Sequence, residues 1–275
     1  MNPPSKGEKA MRHESNNDST KWTELLIEAV TKPGLISKAY HSFHGYSIGN
    51  QMMALVQCQM RGIEPGPIST YPGWKAKGRQ VKRGEKAVVL CMPLTSKRKT
   101  EGEGDEETVF IRFTYRANWF VLCQTEGEPI EILTTPDWDR SMALSTLSIS
   151  EVPFEHMDGN CMGYARRREI AISPLNQMPH KTTFHELAHV LLGHTSEGEM
   201  SDTEYTPKNL REAEAESVAL ICCESLGLPG AEFCRGYIQN WLRGDVIPEK
   251  SAQKIFHAAD QVLRAGRASD AGEVH

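Results

Sequence analysis

Apolar positions recur at helical spacing through Trp22, Leu25, Leu26, Ile27 and Val30, which predicts a first helix capped by Thr20 and stopped at Pro33-Gly34. A second helix is expected from Tyr46 to Met60, with Ile48, Met52, Met53, Leu55, Val56 and Met60 on its buried face and Arg61-Gly62 closing it. Ser69 to Trp74 starts one short helical turn. Ala87–Met92 and Thr108–Tyr115 then read as strands by β-branched content, and Asn118–Leu122 continues the second or adds a third. The charged stretch from Lys97 to Glu107 has the composition of a mobile hairpin tip. Thr134-Thr135-Pro136 predicts a helix start, with that helix running to about Leu147. Short strands follow at 152–154, 161–165 and 169–172, with a loop between Pro174 and Pro179. Four more helices complete the pattern: one around Phe184–Leu192 stopped by Gly193, one from Asn209 to Leu226 stopped by Gly227, then 232–242 and 249–265. Residues 1–19 read as a disordered tail, and the last ten as frayed.

The 275 residues suffice for two modest domains or one large one, and 39% hydrophobic with 24% charged is ordinary for a globular chain. Charge divides the chain. Residues 21–135 hold 15 Lys and Arg against 12 Asp and Glu, whereas residues 136–275 hold 13 against 21. Opposite signs in the two halves suggest two domains with different partners. The expected fold class is α+β, with a tail at 1–19, one domain at 20–132 and a second at 133–268. No apolar run approaches the ~20 residues of a membrane span, and Met1–Thr20 lacks a signal-peptide core. Seven cysteines without a C-x-x-C pair suit a reduced, cytoplasmic protein better than a disulfide framework.

The candidate chemistry centres on Phe184-His185-Glu186-Leu187-Ala188-His189, an H-E-x-x-H pattern. On a helix, His185 and His189 stand one turn apart on one face, where two imidazoles bind one zinc ion and Glu186 reaches a water beside it. The bland alternative is an amphipathic helix with two surface histidines. A second helix favours the metal reading, because Glu212 and Glu216 share one of its faces and a carboxylate completes a His, His, Glu set with one position open. Glu214 falls on the other side and is expected in solvent. His194, five residues after His189, is expected at the helix end or surface. The strand at 169–172 is expected to line the cleft and pair with an extended peptide. His180, His156 and Tyr164 are weaker candidates for stabilising an oxyanion.

The order helix, small sheet, H-E-x-x-H helix, Glu helix resembles a minimal zincin of the gluzincin type, and Glu212-Ala213-Glu214-Ala215-Glu216 fits that family's E-x-x-A-(D/E) pattern. The resemblance implies His185, His189 and Glu212 as ligands of one Zn2+, Glu186 as catalytic base, and Glu216 as an acceptor that orients a ligand histidine. On spacing alone, Glu216 can stand in for Glu212.

In the first half, Lys75, Lys77, Arg79, Lys82, Arg83 and Lys86 crowd a short segment beside Tyr71 and Trp74. Cations beside aromatics suit single-stranded nucleic acid, with charges on phosphates and rings on bases. A solvated turn with Trp74 in the core explains the same residues. Tyr46-Ser47-x-x-Asn50-Gln51, then Trp74-Lys75-x-x-Gly78-x-x-Val81-Lys82-Arg83-Gly84-Glu85-Lys86, then the zinc motif recur in that order in ArdC-like antirestriction proteins of plasmids. That resemblance spans roughly residues 20 to 226. It implies an N-terminal single-stranded-DNA-binding domain, a C-terminal zincin-like metallopeptidase domain, and protection of incoming DNA from a host restriction enzyme. Two other classes stay in view: an intracellular zinc metallopeptidase whose first domain recognises a protein, and a DNA-binding protein whose zinc is structural.

Overall fold

The computed structural model of the protein describes residues 21–99, 107–131, 134–135, 137–155, 161–195, 206–242 and 244–268. Thr20, His156 and the tip of the charged loop lie outside the described residues. The described residues form a mixed α+β arrangement with three small sheets. It opens with α1 (Trp22–Thr31), α2 (Leu35–Phe43) and α3 (Ile48–Arg61). The helix α2 is absent from the sequence-based expectation, which read Pro33-Gly34 as a terminator. Gly34 instead sits at φ 81° as a three-residue joint, and Leu35, Ile36, Ala39, Tyr40 and Phe43 form a buried helical stripe beyond it.

Next come β1 (Ile68–Thr70), α4 (Tyr71–Ala76), β2 (Arg79–Val81), β3 (Val88–Lys99), β4 (Glu107–Val121) and β5 (Thr125–Gly127). The strands β3 and β4 form one long antiparallel ribbon with Cys91 opposite Tyr115, so the two apolar runs expected at 108–115 and 118–122 are one strand. Only its last residues, Trp119–Val121, gain a third neighbour in β1. Separately, β2 pairs antiparallel with β5.

The remaining elements are α5 (Arg140–Thr146), β6 (Ser150–Glu151), β7 (Gly163–Arg166), β8 (Glu169–Ile172), α6 (Pro179–Leu191), α7 (Lys208–Ser225), α8 (Ala231–Leu242) and α9 (Glu249–Ala265). The helix α5 starts at Arg140, later than Thr134-Thr135-Pro136 suggested, because the Asp139 side chain accepts from Met142 N at 2.6 Å and caps it there. In the sheet β6-β8-β7 both edges of β8 are taken, by β6 in parallel and by β7 antiparallel. The expectation that 169–172 pairs with a peptide is therefore corrected: among the described strands β6 and β7 are the edges, and β7 is the edge that packs beside α6.

The helix α7 is the axis of the second half. Every residue from Ala213 to Ser225 is buried, as befits a helix packed on all sides by α6, α8, α9 and α2. Ala213, Ala215, Ser217 and Ala219 keep its surface low enough for that approach. One cluster of buried side chains runs from Leu25 in α1 to Leu263 in α9.

The helices α1 to α3 have no side-chain N-cap of their own. Each first turn instead meets a carboxylate from the C-terminal helices. Glu249 accepts from Trp22 N and Thr23 N, both at 2.9 Å. Glu224 accepts from Gly34 N, and Asp260 accepts from Ile48 N at 3.0 Å. These acids answer the unpaired N–H groups and positive dipole end that every helix start exposes.

Candidate functional site

Pro179 in the first turn of α6 presets the helical φ, and the chain enters it from the loop after β8. One turn apart on its inner side stand His185 and His189, each 15% exposed at the side chain. Their Nε2 atoms face each other at 3.1 Å. From α7, Glu212 places Oε2 3.5 Å from His185 Nε2 and 3.7 Å from His189 Nε2. The three donor atoms lie within 4.8 Å of one another. Two imidazole nitrogens and a carboxylate oxygen converging on one point fit a divalent cation in number and chemistry. Hydrogen bonding to the two histidines holds the Glu212 carboxyl far below the usual carboxylate range.

Glu186 is buried against this cluster. Burial pushes its carboxyl up to about 7, with the Glu212 charge adding to burial and His185 opposing it. The edge strand β7 runs past it. A Cβ on Gly163 would stand 2.5 Å from Thr182 Cγ2 and 3.1 Å from both Ala171 O and Glu186 Oε1, so glycine keeps the packing beside that carboxylate open.

Behind the donors lies a layer of buried charge. Glu216 Oε1 sits 3.3 Å from His185 Nδ1 and 2.8 Å from Lys181 Nζ. His194 and Glu214 depart from the sequence reading. His194 is 3% exposed and Glu214 5% at the side chain, and His194 Nε2 meets Glu214 Oε2 at 2.9 Å. His194 Nδ1 lies 3.0 Å from His189 Nδ1. Two local causes explain the discrepancy. Gly193, at φ 77°, ends α6 in a left-handed turn where His194 N bonds His189 O at 2.8 Å and Gly193 N bonds Val190 O at 3.2 Å. This Schellman-type reversal folds His194 back behind His189 instead of carrying it onward along the helix. Glu214 has no solvent to face, because α7 is enclosed all round from Ala213 onward. The only advance signal was Gly193 itself. Of the oxyanion candidates, His180 is exposed and Tyr164 is half-buried on β7.

The cationic segment of the first half divides on inspection. Trp74 is fully buried and donates Nε1–H to Phe120 O at 2.8 Å. Its ring therefore cannot stack on a base, which corrects the expectation that it contacts DNA. Arg79 is half-exposed, and its guanidinium donates to Thr125 Oγ1, Thr125 O, Gly127 O and Glu128 O and so locks β2 to β5. Tyr71, Lys75, Lys77, Lys82, Arg83 and Lys86 are exposed. Lys77 lies over the Trp74 ring at 5.5 Å, and Lys82 Nζ donates to Cys123 O at 2.9 Å. An open groove of about 470 Å³ lies between Tyr71, Lys75, Arg79, Gln80 and Glu126. The cysteines among the described residues are free thiols, and no described helix is long and apolar enough to cross a membrane.

Residues 13–120 match the family model for the N-terminal domain of anti-restriction factor ArdC. The fold is similar to that of the antirestriction ArdC protein from the R388 plasmid, crystallised metal-free: TM-score 0.52, 21% identity, covering 89% of this chain and 94% of that one. The Mn(II)-bound structure of the same R388 protein gives a TM-score of 0.51 and 19% identity, covering 89% of this chain and 97% of that one. No curated protein sequence matches.

Proposed function

We propose that this ArdC-like chain, ArdC-like in its N-terminal sequence and in its fold, is an antirestriction protein that binds single-stranded DNA and carries a metallopeptidase-like metal site. DNA is held by residues within 20–132 and the cation by a zincin-like unit at 133–268, with one shared core crossing the expected boundary near residue 132. The observation that carries the reading is the convergence of His185, His189 and Glu212 beside the buried Glu186. The Mn(II)-bound relative supports a divalent cation in a protein of this fold. Two imidazoles and one carboxylate favour zinc among such cations.

When bound there, the metal supplies a Lewis acid that polarises a carbonyl and acidifies water. The protein's own residues do the rest. Glu186, buried beside the cluster, would accept a proton from water and return it to the leaving amine. Glu216, steadied by Lys181, orients His185. The open edge of β7 lies beside Glu186 and offers backbone pairing to an extended peptide. For DNA, Tyr71 supplies the exposed ring, and Lys75, Lys77, Lys82, Arg83 and Lys86 track phosphates.

The test combines metal analysis with DNA binding on the whole protein. Purified protein should hold one zinc ion, lost in His185→Ala and strongly weakened in Glu212→Ala. Single strands should bind more tightly than duplex, and replacing Lys82, Arg83 and Lys86 by Ala should flatten the salt dependence. Retention of the metal in both ligand variants would refute the site. Tighter duplex binding would refute the single-strand reading.

A further inference from the structure

His189 has two ring nitrogens and, when neutral, one proton. Its Nε2 points at the donor cluster, 3.1 Å from His185 Nε2, and its Nδ1 points at His194 Nδ1, 3.0 Å away. Two arrangements satisfy that second contact. Either His189 donates from Nδ1 and keeps a lone pair on Nε2, or His194 donates and His189 carries its proton on Nε2, where no cation can bind. The contact that chooses between them is one residue further back. Glu214 Oε2 lies 2.9 Å from His194 Nε2, and a carboxylate only accepts. In the neutral His194 ring the proton is therefore on Nε2, Nδ1 is an acceptor, and His189 donates to it.

We propose that His194 and Glu214 are positioning residues that lock His189 in its metal-binding tautomer. The inference rests on the metal reading of the cluster and adds residues that the H-E-x-x-H pattern does not contain. Both side chains are enclosed, 3% and 5% exposed, so no water competes for these bonds. The device is asymmetric. His185 is held by a direct carboxylate, Glu216, itself paired with Lys181. His189 is held through an imidazole because the Schellman-type turn at Gly193 places a ring, and not a carboxylate, behind it. The relay also ties the end of α6 to α7, the helix that supplies Glu212. The third ligand and the second histidine are thus registered against each other by a bond that touches neither the cation nor the substrate.

The experiment is zinc affinity, by competition with a chromophoric chelator, for the whole protein and four variants, with melting of each metal-free protein as the control for folding. His194→Phe keeps a ring but removes the acceptor, and should weaken zinc about 10–100-fold. His194→Asn returns an acceptor near the Nδ1 position and should recover most of that loss. Glu214→Leu frees the His194 tautomer and should weaken zinc to a similar degree. The double variant His194→Phe/Glu214→Leu should be no worse than His194→Phe, since the two act in one chain. Affinity within about twofold of wild type in His194→Phe overturns the inference, as do equal losses in the Phe and Asn variants or additive losses in the double variant. A wild-type protein that binds no divalent metal overturns the metal reading itself.

Discussion

Replacing Trp74 by alanine separates two roles that its sequence position allows. The ring is fully buried, and its Nε1–H donates to Phe120 O at 2.8 Å. It packs under the β1–β4 junction, and Lys77 covers its outer face at 5.5 Å. Truncating a buried tryptophan costs about 3–5 kcal/mol, from lost burial and from the cavity left behind. Losing the partner of Phe120 O puts Trp74→Ala in the upper part of that range, roughly 4–5 kcal/mol. That is a large share of the ~5–15 kcal/mol that holds an ordinary domain folded. Urea unfolding followed by far-UV circular dichroism should show the midpoint falling sharply. Tyr71→Ala is the matched control. At 48% exposure, Tyr71 should change stability by under about 0.5 kcal/mol. It should nevertheless weaken single-strand binding by about 1–3 kcal/mol, measured by fluorescence anisotropy of a labelled oligonucleotide. A Trp74→Ala protein with wild-type stability and specifically impaired DNA binding would refute this reasoning, because it would put the ring at the surface.

Gly163→Ala should keep the cation and lower any peptide hydrolysis by about tenfold, because a Cβ 2.5 Å from Thr182 Cγ2 and 3.1 Å from Glu186 Oε1 forces the packing around the base to shift; unchanged turnover with zinc bound would contradict this. Glu186→Gln should retain metal and DNA binding and abolish hydrolysis, since an amide accepts no proton. If that variant still shields single-stranded DNA from restriction, protection works by covering the DNA; if it fails while binding normally, protection needs a cleaved partner. Glu249 has a carboxyl held below its ordinary 4.5: burial opposes the charge, but hydrogen bonds from Thr23 and Trp22 outweigh it. Its contribution is therefore complete above that value and lost as pH falls through the lower folded value. Glu249→Gln should be less stable than wild type by about 1 kcal/mol near pH 7, and the gap should close in acid; a gap that widens there would reverse the assignment.

What was legible in the sequence was whatever follows from one element at a time. The spacing His185, Glu186, His189 encodes a helix face, and Glu212 with Glu216 encodes another; both faces meet in the structure. The full extent of α9, from Glu249 to Ala265, was also readable from its apolar stripe. The errors arose where two elements had to be known together. Glu214 looked solvated because helical periodicity assumes one wet side, and α7 has none beyond Ala213. His194 looked remote because it lies five residues after His189, off the ligand face; Gly193 was read as a stop, but its left-handed turn also reverses the chain. Trp74 and Arg79 sat among lysines, and adjacency in sequence concealed that one points into the core and the other ties two strands. The helix α2 was hidden by Pro33-Gly34, a pair that joins helices as readily as it ends them.

The carboxylates that cap α1, α2 and α3 carry a consequence for how the chain is made. At about 5–20 residues per second, synthesis of Glu249 follows the end of α3 by roughly 10–40 s. Through that interval the first three helices have left the ribosome with their opening turns answered only by water, and the apolar surface that α9 will cover stands bare. Closure of the amino-terminal helices thus waits on α7 and α9. A message broken before codon 224 yields a product missing all three acids, and the cell's proteases meet frayed helix starts and uncovered leucines. The groups that close the first three helices stand at positions 224, 249 and 260, so a product that stops short of them leaves those helix starts open.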